Sequence, residues 1–209
     1  MTFWNKILVL LPAFLDISGE YMNGNMKSKI KMGEARQDCD DGVNGNDIDW
    51  DGNPRNYTCY HPDTLLLGSS TRSVVECKDL PSDYSPQHFC LGTPIKYPHP
   101  VPHHGNHRPI WPKFGEYRFV PAQRWLHNIE HGAVVMLYHP CTHPILVQQL
   151  RDLLTGCIRK HIITPHNDLP EDKPLALVVW ECRLLMSSNI LYSSRYTSPR
   201  SLGVQATNI

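Results

Sequence analysis

The sequence lacks most of the features that announce a function class. Twenty basic and twenty acidic side chains cancel, so no overall field draws in nucleic acid or an anionic membrane. Neither a P-loop nor a dinucleotide-binding fingerprint occurs. No C-x-x-C spacing is present, which argues against a zinc ribbon and a thioredoxin-type redox motif. No segment reaches the ~18 apolar residues of a spanning helix, so no membrane span is expected in this chain. What the sequence does hold is 12 His, 18 Pro and 7 Cys in 209 residues. The prolines imply much extended or turn-rich backbone, because each fixes φ and removes a donor.

The N-terminus reads as a secretory signal over residues 1–19, with Lys6 before an apolar run from Ile7 to Leu15 and a small-residue zone at Ser18-Gly19. The alternative is a buried N-terminal helix. Secretion would expose Cys39, Cys59, Cys77, Cys90, Cys141, Cys157 and Cys182 to an oxidising lumen, where most of them pair and one is left over. Cys157 is a natural local partner for Cys141. Asn56-Tyr57-Thr58 is a glycosylation acceptor, useful in the same compartment.

Four regions follow from texture. After the signal, residues 20–95 are loop-rich, acidic in the middle and without sustained periodicity, so disulfides are expected to order them. Residues 96–186 form an α+β (or compact α/β) domain: a mixed sheet with one or two packed helices. Its Pro/His opening, 96–112, has polyproline-like stiffness. "GEYRFV" (115–120) alternates like an edge strand, and "AQRWLHNIEH" (122–131) is a short helix closed by Gly132. "AVVMLYH" (133–139) is apolar enough to be covered on both faces. Pro144 opens a second helix, whose stripe is Ile145, Leu146, Gln149, Leu150, Leu153 and Leu154. "HIITP" (161–165) and "LALVVWE" (175–181) complete the strands. Residues 187–209, Ser-rich and aperiodic, are read as a disordered tail.

Four pieces in order, "HHGNH", "GEY", "HNIEHGAVVMLYHP" and "PLALVVWE", resemble a family of extracytoplasmic domains of unknown function found in bacteria and animals, whose pattern includes H-x-x-E-H-G. "LYHPCTHPILVQQLRDLL" is most similar to an animal branch of single-pass membrane proteins linked to growth suppression. The resemblance covers roughly residues 97–181. It implies an extracellular or luminal location and lends no settled activity; separately, an unidentified protein partner is expected. The membrane helix expected downstream is lacking here.

On a helix, His127 and His131 share a face, so both can direct imidazoles at one ion. His104 and His107 on the Pro-stiffened loop can complete the set, and imidazole donors suit Zn²⁺ and Cu²⁺ alike. The H-x-x-E-H order also occurs in metallohydrolases, which makes Glu130 a weak catalytic candidate. The structural alternative has His131 bonding the last helix carbonyls, Glu130 paired with Arg124 or Arg118, and His127 donating to a backbone carbonyl. His139, Cys141 and His143 have a spacing able to bind copper if the strand continues. "DIDWDG" places Asp47, Asp49 and Asp51 as in the first half of a calcium loop, although Thr58 stands where an EF-hand needs Glu. The leading reading is a non-catalytic, secreted or membrane-derived binding ectodomain. A zinc metallohydrolase and a purely structural interaction module are the alternatives.

Overall fold

The structure is a computed structural model that describes residues 33–188. The expected signal at 1–19 lies outside the described residues, as does the expected tail beyond Ser188.

Six strands form one mixed sheet: β1 Val74–Cys77, β2 Gly115–Glu116, β3 Val134–Tyr138, β4 His161–Pro165, β5 Leu175–Val179 and β6 Cys182–Met186. Their spatial order is β1-β6-β5-β3-β4-β2. The pairings from β1 to β3 are antiparallel, whereas β4 runs parallel to both β3 and β2. Helix α1 (Ala122–Glu130) links β2 to β3, and helix α2 (Pro144–Cys157) links β3 to β4. Parallel neighbours require such crossovers.

The apolar run of β3 is covered on both sides, as its composition demands. Val134 and Met136 join Val147, Leu150 and Leu154 of α2, while Val135 and Leu137 join Trp125, Leu126 and Ile129 of α1. This is the period-two alternation of a central strand between two helices. The α2 stripe is rotated from the one expected: Val147, Leu150 and Leu154 are buried, and Ile145 and Leu153 are exposed. The sheet faces only one side of that helix, and its i, i+3, i+7 positions fill that side.

Two further expectations are corrected. "GEYRFV" pairs with β4 only at Gly115 and Glu116. Beyond them Arg118 lies over the Tyr57 ring and Phe119 packs on Trp50 at 4.9 Å, drawing the chain off the sheet edge. "LALVVWE" is not one strand to residue 181: the chain reverses over Trp180-Glu181, with Glu181 at φ 67°, and returns as β6. A two-residue reversal without Gly or Asn carries no turn signal in sequence.

Of three disulfides, Cys39–Cys90 closes the loop-rich stretch on itself, while Cys59–Cys141 and Cys77–Cys182 tie it to the sheet domain. Cys77 and Cys182 are also direct partners in the β1/β6 register. The local Cys141–Cys157 pairing is therefore incorrect, and Cys157 is free and exposed. The reason is length: the 14-residue helix α2 separates the two by about 20 Å, far beyond disulfide reach. Three disulfides indicate an oxidising extracellular or luminal environment. Among the described residues, no helix is long and apolar enough to cross a membrane. Ser187, placed in the tail from sequence, is buried and donates to the carbonyls of Ser69 and Thr71.

Candidate metal centre

Helix α1 stops where its sequence says it should. His131 is the C-cap residue and Gly132 takes φ 79°. Gly132 N donates to the Ile129 carbonyl and Ala133 N to that of Asn128, the paired bonds of a Schellman closure. The last turn thereby presents His127 and Glu130, three residues apart, on one face.

A second segment meets that face. His107 and His88 form a parallel bridge, in which Phe89 N donates to the His107 carbonyl and His107 N to that of Gln87. The rings of His88, His107 and His127 then stand in a near-equilateral triangle, with centroids 4.6, 4.7 and 4.7 Å apart. One ligand atom from each, with one oxygen of Glu130, all lie within 4.8 Å of one another.

Two of the imidazoles are held for ligation. His107 Nδ1 donates to the Gly105 carbonyl at 2.8 Å, and His127 Nδ1 donates to the Arg108 carbonyl at 2.7 Å. In a neutral ring this leaves Nε2 as a bare lone pair, the usual orientation device for a metal-binding histidine. His127 Nε2 is buried and has no hydrogen-bond partner. His107 Nε2 faces His88 Nε2 and Glu130 Oε2, each at 3.1 Å, and His88 Nε2 is 3.6 Å from the same oxygen. Acceptors so close repel unless a proton or a cation lies between them. Ligand bonds of ~2.0–2.2 Å put the corners of a tetrahedral zinc site about 3.3–3.6 Å apart, close to the separations among His88, His107 and Glu130, while the full set with His127 lies within 4.8 Å. The residues therefore fit a transition-metal ion.

Arg108 fastens the ligand-bearing segments together. Fully buried, it donates from Nε and Nη2 to the two oxygens of Asp49 at 2.7 and 2.6 Å. Its Nη1 donates to the carbonyls of Phe89, Cys90 and Thr93. The same residue thus anchors the loop of His88, follows His107 in the chain and accepts from His127. Arg124 adds a buried pair with Asp40 at 2.6 Å.

The remaining sequence candidates lie as follows. His131 sits at the rim, with Nε2 3.7 Å from Glu130 Oε2. His104 is apart from the cluster and instead shares an Nδ1···Nδ1 contact of 3.1 Å with His103. His88 was absent from the expected set. No motif marks it, and only the bridge to His107 brings it in. Glu130 pairs with neither Arg124 nor Arg118. The copper reading of His139, Cys141 and His143 fails, because Cys141 is in a disulfide and both rings accept backbone N–H groups. The calcium reading loses its middle ligand, since both oxygens of Asp49 serve Arg108, while Asp51 accepts from Asn53 N. The Asn56 amide accepts from Trp50 Nε1 and donates to Asn167.

Electrostatics keep the site ready for a cation. Burial pushes His127 down to about 3, outweighing its bond to the Arg108 carbonyl, and the neighbouring histidines add to the shift. Burial would raise Glu130, but the hydrogen bonds that His107 and His88 donate to it when their rings are protonated prevail and hold it well below the usual carboxylate range. Elsewhere, burial and then His104 push His103 down to about 4. An unfolded histidine titrates near ~6.5, so between that pH and the folded values the unfolded chain binds more protons. Stability therefore falls as pH falls through this window, by ~1.4 kcal/mol per pH unit for each such ring. Glu130 acts in the same direction at lower pH. Guanidinium titrations in a chelator should show a midpoint lower at pH 5 than at pH 7; equal midpoints would mean that these rings are solvated.

Residues 88–190 match the family described as Protein of unknown function (DUF3105). The matched segment opens on His88 and contains all four clustered residues. The rat (Rattus norvegicus) Tumor protein p53-inducible protein 13 is 39% identical over 54 residues, 26% of this chain and 14% of that protein. The match thus spans about one seventh of the relative's length. No solved structure matches the chain.

Proposed function

We propose that this chain is an extracytoplasmic, secreted or membrane-derived ectodomain whose DUF3105 region binds a transition-metal ion, Zn²⁺ or Cu²⁺, through His88, His107, His127 and Glu130. The observation that carries this reading is the buried, partnerless Nε2 of His127, held by its Nδ1 bond and aimed into the cluster. The role is binding without catalysis. Glu130, the residue a metallohydrolase would use on water, stands in the ligand set, and four protein ligands complete a closed tetrahedral site. Binding of a protein partner belongs to the same proposal.

Metal content tests this. Purified without a His-tag from an oxidising compartment, the chain should carry about one equivalent of zinc or copper by mass spectrometry, the stoichiometry of one four-ligand site. His127→Ala should lose it and His104→Ala should retain it. Metal absent from the parent, or unchanged in His127→Ala, would remove the site.

A further inference from the structure

The cluster has depth. His107 and His127 are fully buried, while the side chains of His88, Glu130 and His131 are 15%, 22% and 43% exposed. Glu130 Oε2 is common to both levels: it lies 3.1 Å from His107 and 3.6 Å from His88 on the inside, and 3.7 Å from His131 on the outside. The early helix stop puts His131 there. As the C-cap residue at φ −94°, ψ 26° it has left the helical path, so its ring stands beside the mouth instead of completing the inner set. The rings of His127 and His131 are 5.0 Å apart, and Trp111 flanks both, at 4.3 and 5.3 Å.

We propose that His131 is the loading ligand of this site. With Glu130 it takes up a divalent transition-metal ion at the mouth, and the ion then passes to His88, His107 and His127 without leaving Glu130. The proposal rests on the metal reading above and adds that the module exchanges its ion with other molecules, where an isolated buried site would hold it. The physical reason is ligand continuity. An ion that enters a closed four-ligand site directly must shed its water before protein ligands replace it, and on leaving it must break protein bonds before water can reach it. A rim imidazole that shares a carboxylate with the inner site supplies a replacement ligand at each step and lowers the barrier in both directions. Lys160 opposes uptake by its charge; its Nζ lies 3.4 Å from the His131 carbonyl. A loading ligand changes rates and leaves affinity nearly untouched, which distinguishes it from a fifth ligand of the bound ion.

Stopped-flow uptake of Zn²⁺ by the tag-free full chain, and its release to a chromogenic chelator, read this directly. Parent and His131→Ala should each bind one ion with the same affinity. In His131→Ala both rates should fall by the same factor, so that their ratio, the affinity, stays unchanged. His131→Asp, which restores a ligating side chain, should recover most of the loss. Unchanged rates in His131→Ala, loss of the ion in that variant, or no recovery with His131→Asp would each overturn the proposal. A parent that binds neither Zn²⁺ nor Cu²⁺ would overturn the metal reading itself, and this proposal with it.

Discussion

Asp49→Ala should destabilise the protein by about 3–5 kcal/mol, the penalty for stranding one charge of a buried pair. The side chain of Asp49 is 2% exposed and that of Arg108 not at all, and Asp49 accepts from both Nε and Nη2. Without it, two guanidinium donors face an interior with no water to replace the carboxylate. The damage should also reach the metal site, because the carbonyls of Phe89, Cys90 and Thr93 depend on the orientation of the same guanidinium. Asp49→Asn keeps one acceptor and should cost less. Guanidinium denaturation of the metal-free protein gives the first quantity and zinc stoichiometry the second. A loss below about 1 kcal/mol, the level of an exposed ion pair, would show that water reaches Arg108.

The other large effect is stabilisation by the ion. A ligand that binds only the folded state at a thousandfold excess over its Kd contributes about 4 kcal/mol. For a domain of this size each kcal/mol shifts Tm by about 2–4 °C. Zn²⁺ added to chelator-treated protein should therefore raise Tm by roughly 8–16 °C. His107→Ala should abolish the shift, since it removes the ring that stands 3.1 Å from two other ligand atoms. His104→Ala should keep it. A full shift surviving in His107→Ala would place the ion elsewhere, and scanning calorimetry with and without Zn²⁺ decides the matter.

Sequence and structure divide the site between them in a way that follows from range. The H-x-x-E-H-G block carried local information: a short amphipathic helix, a glycine stop and two groups on one face are all set within a few residues. The i, i+4 pairing of His127 with His131 was the natural expectation for an uninterrupted helix. The stop begins one residue too early for it, so the i, i+3 partner Glu130 takes the inner position. Asp49 likewise looked like a calcium ligand because D-x-D-x-D-G is a local pattern, and nothing local reveals an arginine 59 residues away.

By itself, the sequence determined the two covered helices, the doubly buried strand β3, the α+β class and a set of cysteines suited to an oxidising compartment. These rest on periodicity and composition, which are properties of short stretches. Tertiary structure alone decided that β1 and β6 join the sheet, which cysteines pair, and that His88 rather than His104 meets His107 and His127. Those outcomes depend on segments far apart in the chain converging, and on Arg108 holding the convergence with five hydrogen bonds. A metal site needs ligand atoms a few ångströms apart, and only packing sets distances of that kind.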